Sequence, residues 1–272
     1  MTDLALAYEP RAVLTRPAAA PDQVLRYGAH AHALIDLYAP TGAPRAAPLL
    51  VLVHGGYWRA TVDRSYMRPM AEVLRAEGFV VVLPEYRRTG DEPGLEGGYP
   101  ATLDDIAQAL RALPGLLAAQ GWRIRATQLI GHSAGGHLAL WLANEDVAVQ
   151  RIVALAPVAD LYAGHAENLD EGAVQALMGG SPAEAAERYA ASDPMTRLAQ
   201  RPDCAIAVVH GTQDDRVPLT QAQALVARYP WIALHELSET EHFAIVDPLS
   251  PVWPTVHQVL IEGFVQGNHY EK

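Results

Sequence analysis

The sequence predicts an α/β fold with a mostly parallel, doubly wound sheet that carries helices on both faces. Short apolar runs alternate with amphipathic helical stretches along the 272 residues, which is typical of repeated strand–helix units. The middle runs are nearly continuous in Val, Ile and Leu, as expected for parallel strands covered on both faces. Half of the residues are hydrophobic, so the chain can bury a large core.

The predicted elements follow one another regularly along the chain. Apolar runs predict seven strands, at Ala33–Tyr38, Leu49–Val53, Val80–Leu83, Gln128–Ile130, Ile152–Leu155, Ile206–Val209 and Ile232–Leu237. Amphipathic stretches predict five helices, around Tyr66–Glu77, Leu103–Ala119, Gly136–Asn144, Leu219–Arg228 and Trp253–Phe264.

Two segments stand outside this alternation. Residues 160–202 are alanine-rich and helical without a clear strand, and we expect a small helical cap over the C-terminal ends of the strands. A pair of surface helices with no role at a site is the alternative. Residues 1–22 are rich in Ala and Pro and predict a loose N-terminal arm. No linker or repeat divides the chain, so residues 1–272 are predicted to form a single domain.

Charge and composition narrow the classes of partner and compartment. A net charge of −11 without a basic run argues against nucleic acid or an anionic membrane as a partner. The N-terminus carries Asp3, Glu9 and two prolines instead of the apolar core of a signal peptide. No apolar stretch reaches the ~20 residues that span a bilayer. We therefore expect a soluble cytoplasmic protein; the sequence does not determine its oligomeric state and leaves a homodimer open.

The single cysteine, Cys204, excludes a disulfide within the chain and sites built on several cysteines. It precedes an apolar run, and we interpret it as a buried small hydrophobe rather than a nucleophile. The run Gly131–Gly136 matches neither a dinucleotide-binding fingerprint nor a phosphate-binding loop. No cofactor is therefore predicted.

A nucleophile elbow is predicted at Gly131–Gly135, where the sequence has the form G-x-S-x-G. A strand-like run leads into it and a helix-like run leads out, which is the context that the motif requires. The turn lifts the Oγ of Ser133 off the sheet, and the N–H of Ala134 at the start of the helix is a candidate oxyanion donor. The alternative is an ordinary strand–turn–helix with a capping serine.

An acid and a base follow in chain order. Asp214 and Asp215 come after the strand at Ile206–Val209 and a Gly turn, and His242 follows the last strand. The order Ser, Asp, His is that of an α/β-hydrolase triad. Asp214 is preferred as the acid and Asp215 is the alternative, although both also suit the cap of the following helix.

A glycine-rich loop after the strand Leu49–Val53 reads His54-Gly55-Gly56-Tyr57-Trp58. Backbone N–H groups near Gly55, Gly56 and Tyr57 are candidate oxyanion donors, because glycine lets the backbone approach a substrate closely. His54 is interpreted as an organiser of this loop, and the charges of residues 85–88 as a structural network. Tyr57 and Trp58 are candidates for an aromatic wall, with burial of Trp58 in the core as the alternative.

Together, these motifs resemble the α/β-hydrolase superfamily. Within it, the Tyr-Trp pair after His-Gly-Gly and the run Gly131–Ala139 are most similar to the serine-dependent kynurenine formamidase (arylformamidase) group and to hormone-sensitive-lipase-like esterases. The resemblance covers roughly residues 48–247. It implies an α/β-hydrolase fold, a Ser133–Asp214–His242 triad, and hydrolysis of a small-molecule amide or ester with a small, formyl-type acyl group. A short-chain carboxylesterase is the alternative.

Two other classes of function are weaker. A metal-dependent hydrolase would have to use the pair His30 and His32, which no carboxylate-rich histidine cluster accompanies. No metal site is therefore predicted. A non-catalytic protein on a hydrolase fold is the other alternative, but every part of the triad is present.

Overall fold

A computed structural model describes residues 8–42 and 46–265. Its centre is one sheet of eight strands in the spatial order β1-β2-β4-β3-β5-β6-β7-β8. The strands are β1 (Gln23–Arg26), β2 (Leu34–Tyr38), β3 (Ala46–Val53), β4 (Val80–Pro84), β5 (Arg123–His132), β6 (Arg151–Leu155), β7 (Ala205–Gly211) and β8 (Ala233–Leu237). Strands β3 to β8 run parallel, whereas β1 and β2 add an antiparallel edge. The predicted mostly parallel, doubly wound sheet is confirmed.

The direction of winding changes at β3. The chain passes from β3 to β4 on one side and then returns past β3 to form β5 on the other side. In open α/β sheets such a reversal opens a crevice at the carboxyl ends of the strands. The loops after β3 and β5 carry the predicted oxyanion loop and the nucleophile elbow, and both begin at this reversal.

Helices cover both faces of the sheet. They are α1 (Arg68–Ala76), α2 (Ala101–Ala119), α3 (Ala134–Leu142), α8 (Thr220–Arg228) and α9 (Trp253–Val265). Alternate residues of β3 enter separate cores, because successive side chains of a strand point to opposite faces. Leu49 and Val51 belong to the core between the sheet and helices α2, α3 and α8. Leu50 and Leu52 belong to the core on the other face, which α1 and α9 cover.

Residues 160–202 contain four short helices and no strand, as predicted. They are α4 (Leu161–Ala166), α5 (Ala173–Met178), α6 (Ala186–Ser192) and α7 (Pro194–Arg197). Hydrogen bonds from α3 and the residues after it hold this insertion in place: the Trp141 Nε1–H donates to the Ala191 carbonyl and the Asn144 amide donates to the Arg197 carbonyl. We use the name cap for residues 160–202.

The prediction of a loose arm over residues 1–22 is wrong for residues 8–22. Val13 is 1% exposed in the core on the α1 side, and Arg16 forms an almost fully buried ion pair with Asp247. The apolar anchor is a single Val among Ala and Pro, which is why composition alone did not reveal it. Residues 1–7 lie outside the described part of the chain.

Other differences from the predicted elements have local causes. Strand β1 was not predicted because only Leu25 of its four residues is buried, so it forms no apolar run. Helix α3 begins at Ala134, two residues earlier than predicted, because the turn at Ser133 enters it directly. Among the described residues, no helix combines the length and the apolar character needed to cross a membrane.

Candidate active site

A cleft of about 250 Å³ lies at the carboxyl ends of the central strands and brings several predicted site residues together. Ser133, His242, Gly56 and Tyr57 line it, together with residues from the N-terminal segment, the cap and the loop before α8. A second cavity, of about 310 Å³, lies at the opposite end of the sheet, beside Gln128, Arg151 and Glu262, and none of the predicted site residues lines it. The chemistry predicted from the sequence therefore belongs to the first cleft.

Ser133 occupies a strained turn between β5 and α3. Its φ of 57° and ψ of −118° lie outside the helical and extended regions, a type of strain that clusters at functional sites. The N–H of Ser133 donates to the Leu155 carbonyl at 2.8 Å, and its carbonyl accepts from His137 at 3.1 Å. These two bonds fix the turn between its neighbouring elements.

The glycines of the elbow are required by close backbone contacts. A Cβ added at Gly131 would lie 2.1 Å from the Gly135 carbonyl oxygen, and one added at Gly135 would lie 2.1 Å from the Val53 carbonyl oxygen. Such distances are far below van der Waals contact. The G-x-S-x-G spacing thus follows from how tightly the elbow packs on itself and on β3.

Asp214, rather than Asp215, contacts the predicted base. Its Oδ2 lies 2.6 Å from Nδ1 of His242, and its Oδ1 accepts from the Val217 N–H at 2.8 Å. The Asp215 side chain is about half exposed and pairs with Arg11 on the surface. Burial alone would raise the pKa of Asp214, but hydrogen bonds from His210 and His242 outweigh it and hold the pKa well below the usual range. Asp214 is therefore ionised at neutral pH.

This contact fixes the tautomer of His242. A carboxylate only accepts hydrogen bonds, so Nδ1 of His242 carries a hydrogen and Nε2 of the neutral ring is free to accept a proton. His242 and Ser133 line the same cleft, and both side chains are almost fully buried. The arrangement suits proton transfer from a serine hydroxyl to a histidine that a carboxylate orients.

A directional chain of hydrogen bonds connects the base loop to the glycine-rich loop. Nε2 of His132 lies 3.1 Å from the carbonyl of His242, so Nε2 donates and Nδ1 must accept. Nδ1 accepts from the Tyr66 hydroxyl at 2.8 Å, and that hydroxyl accepts the N–H of Gly55 at 2.7 Å. Burial is the main cause that lowers the pKa of His132 well below its ordinary value, and the neighbouring imidazole of His242 adds to the effect. The ring is thus neutral, as this chain requires.

The same chain corrects one predicted donor. The N–H of Gly55 points to Tyr66, so the prediction that Gly55 supplies an oxyanion donor is wrong. Gly56 has a φ of 101° and Tyr57 one of 50°, and in the described part of the chain the N–H groups of both meet no acceptor. Ala134 lies in the first turn of α3, where N–H groups lack a partner within the helix. The remaining candidate donors are therefore Gly56, Tyr57 and Ala134.

Comparison with known protein families identifies the family of this chain. Residues 35–229 match the family described as BD-FAE. The chain belongs to the BD-FAE family. The matched range includes Ser133 and Asp214 and ends before His242. Together with the sheet topology, membership in the BD-FAE family confirms the predicted α/β-hydrolase fold and makes the chain an enzyme of the hydrolase type.

Relatives of this BD-FAE chain include two kinds of protein. Kynurenine formamidase of Danio rerio is 25% identical over 244 residues, which cover 82% of this chain and 75% of the relative. A non-reducing polyketide synthase of Aspergillus terreus is 35% identical over 118 residues, or 40% of this chain. The chain spans only 5% of the length of that synthase and of a second one from Stachybotrys bisbyi. The resemblance to kynurenine formamidases is confirmed.

Solved structures agree on the fold of this BD-FAE chain. A putative thioesterase from Silicibacter sp. superposes with a TM-score of 0.66 at 27% identity, covering 86% of this chain and 83% of that protein. Esterase B from Lactobacillus rhamnosis superposes with a TM-score of 0.73 at 20% identity, covering 93% of this chain and 88% of that protein. At this identity the second match informs the fold alone.

Trp58 does not belong to an aromatic wall in the BD-FAE chain. It is 0% exposed, lies in the core with its ring edge-on to His137 at 5.1 Å, and does not line the cleft. Tyr57, by contrast, lines the cleft, and its hydroxyl donates to the Arg216 carbonyl. The prediction is therefore wrong for Trp58. Its φ of 55° continues the left-handed turn begun at Gly56.

The supporting roles predicted for His54 and residues 85–88 are confirmed in the BD-FAE chain. Nε2 of His54 lies 2.8 Å from Glu85, and its ring stacks on Tyr86 at 4.2 Å. Burial would raise the pKa of Glu85, but the charges of His54, Arg88 and Arg64 lower it well below the usual range.

Cys204 is partly buried beside the core, and burial raises the pKa of its thiol to about 11.

His30 and His32 do not share a ligand set in the BD-FAE chain. His30 lies 3.3 Å from Asp105 and His32 lies 3.4 Å from Asp91. Within residues 8–42 and 46–265, no group of three or more His, Cys, Asp or Glu side chains is arranged to hold a metal ion.

Several cleft residues of the BD-FAE chain have no motif that would have revealed them. Asp170 of the cap accepts from Nε of Arg59 at 2.8 Å and from Arg216 at 2.9 Å, and it joins the cap to the loops after β3 and β7. Arg11 and Leu14 of the N-terminal segment also line the cleft. Each lies in a polar or Ala/Pro-rich stretch, so only the folded arrangement identifies them.

Proposed function

We propose that the chain is a serine hydrolase that cleaves a small, formyl-type acyl amide or ester of a small molecule through an acyl-enzyme. The observation that carries this proposal is the 2.6 Å contact between Asp214 and Nδ1 of His242, beside a strained Ser133 in the same cleft. A serine triad needs this combination of a histidine base oriented by a carboxylate and a serine in the same cleft.

Each step of the reaction uses groups of this chain. Ser133 Oγ attacks the carbonyl carbon while Nε2 of His242 takes its proton, and ionised Asp214 stabilises the imidazolium. The N–H groups of Gly56, Tyr57 and Ala134 hold the oxyanion, each contributing on the order of 10²–10³ in rate. The imidazolium then protonates the leaving amine or alcohol. Water attacks the acyl-enzyme by the same route and releases the acid.

Two observations bear on the substrate. Similarity to kynurenine formamidase extends over 82% of the chain, which supports an aryl formamide, and the aromatic side chains of Tyr57, Tyr66 and Phe243 line the cleft. A short-chain carboxylesterase is the second candidate, supported by esterases among the solved structures of the same fold.

The test is hydrolysis of N-formylkynurenine beside p-nitrophenyl acetate and butyrate, with Ser133→Ala as the control. We expect Ser133→Ala to lower kcat by roughly 10⁶ and formylkynurenine to have the largest kcat/KM. Turnover of the esters alone would favour the carboxylesterase. A loss below about tenfold in Ser133→Ala, or no labelling of Ser133 by a serine-directed phosphonate, would contradict the serine mechanism. Retained activity after chelation separates it from a metal-dependent hydrolase.

A further inference from the structure

The N-terminal segment, residues 8–16, forms one wall of the catalytic cleft. Arg11 and Leu14 line the cleft beside Ser133 and His242. The segment lies before the first strand, and the matched BD-FAE range begins only at residue 35. This wall is therefore an addition to the part of the chain that carries Ser133 and Asp214.

Three separate contacts hold this wall against the catalytic loops. The Tyr8 hydroxyl donates to Glu241, the residue before His242, at 2.9 Å. Val13 is buried in the same core as Tyr66 and Met67. Arg16 pairs with Asp247, and their side chains are 7% and 1% exposed. Since these anchors lie on both sides of Leu14, the position of Leu14 is fixed relative to His242.

Leu14 gives this wall an apolar contact surface inside the cleft. The charge of Arg11 is balanced by its ion pair with Asp215, whereas the Leu14 side chain has no polar partner and is 37% exposed. Val62 and Phe243 line the same cleft and pack against the core that holds Val13. When a ligand covers an apolar side chain that is exposed inside a cleft, the burial of that surface contributes favourably to the free energy of binding.

We infer that Leu14 is a specificity-determining residue, which forms with Val62 and Phe243 an apolar subsite for a hydrocarbon substituent of the substrate. The inference rests on the proposed function and extends it to substrates with an apolar group on one side of the scissile carbonyl. Leu14 selects among substrates and has no part in the proton transfers.

The test compares Leu14→Ala with Leu249→Ala on two substrate series. One series lengthens the acyl group, from p-nitrophenyl acetate to hexanoate. The other lengthens the leaving group, from ethyl acetate to hexyl acetate, with little change in alcohol acidity. Leu249 is the matched control because it is the same residue type, is 39% exposed and does not line the cleft.

In one of the two series, we expect Leu14→Ala to lower kcat/KM for the longest substrate on the order of tenfold, with less than about a twofold change for the shortest. Leu14→Met should retain the wild-type pattern, and Leu249→Ala should change neither series. Equal effects on short and long substrates in both series, or no effect in either, would overturn the inference. Wild-type protein without Ser133-dependent turnover would instead overturn the proposed function, and the subsite with it.

Discussion

The hydroxyl of Tyr66 lies 2.8 Å from Nδ1 of His132, and it also accepts the N–H of Gly55. Tyr66 thus joins the glycine-rich loop to the residue that precedes Ser133 and, through Nε2 of His132, to the backbone of His242. The loop of the candidate oxyanion donors, the proposed nucleophile and the proposed base are connected through one buried hydroxyl.

Tyr66→Phe should therefore weaken catalysis more than binding. The change leaves the Gly55 N–H and Nδ1 of His132 without partners, at a cost of about 1–3 kcal/mol for each buried group. Because the two loops lose their shared partner, the reacting groups shift from their positions, and kcat should fall on the order of tenfold. Steady-state kinetics should show KM within about a twofold range.

The matched control for Tyr66→Phe is Tyr189→Phe. Tyr189 is also buried and donates one bond, to the Gly180 carbonyl at 3.2 Å within the cap. The Tyr189→Phe variant should therefore leave kcat unchanged. Equal losses in the two variants would show that Tyr66 contributes stability rather than positioning.

Asp214→Asn and Asp215→Asn should differ by orders of magnitude. Asparagine at 214 can present its amide N–H₂ to His242 and favour the wrong tautomer, so kcat should fall on the order of 10⁴. Asp215 only pairs with Arg11 at the surface, and its substitution should change kcat by less than a few fold. Ester hydrolysis at pH 7 measures both, and comparable losses would contradict the assignment of Asp214.

Gly131→Ala should disrupt the elbow, because its new Cβ would meet the Gly135 carbonyl oxygen at 2.1 Å. We expect a loss of stability on the order of 3 kcal/mol and no phosphonate labelling of Ser133. Gly115→Ala is the control. Gly115 lies within α2 with open space around it, and alanine there should stabilise by about 0.5–1 kcal/mol. Urea unfolding compares the two, and a stable, active Gly131→Ala protein would contradict this packing.

His137 should make the protein less stable as the pH falls. Burial lowers its pKa from 6.5 to about 4, so the unfolded chain binds a proton between these values while the folded chain does not. Stability therefore rises with pH across this window and falls as the pH drops below about 6.5. For His137 alone, linkage gives a loss of about 2 kcal/mol between pH 7.5 and pH 5.

Urea unfolding at these two pH values checks the effect, with His137→Gln as the comparison. The variant should show a smaller difference in unfolding free energy between pH 7.5 and pH 5 than the wild type, by about that 2 kcal/mol. His132 also makes the unfolding free energy fall with decreasing pH. It does so in both proteins, so its contribution cancels when the wild type is compared with the variant. The same pH dependence with and without His137 would contradict a buried, neutral ring.

Residues close in sequence account for the parts of the site that were predicted. A glycine spacing dictated by contacts within one turn marks the elbow at Ser133, and near-continuous Val, Ile and Leu runs mark the central strands. The order of Ser133, Asp214 and His242 along the chain follows from the strand order, because each comes directly after a predicted strand. Edge strand β1, with one buried residue in four, has no such pattern and was not predicted.

The sequence by itself therefore determined the fold class, the G-x-S-x-G turn and the strand ends that carry the proposed acid and base. The tertiary structure alone decided that His242 contacts Asp214 rather than Asp215, that Tyr66 takes the N–H of Gly55, and that Leu14 lines the cleft. Local patterns record steric and burial constraints within a turn, strand or helix. The direction of a hydrogen bond between distant loops depends on which groups packing brings within 3 Å, and no local pattern records that choice.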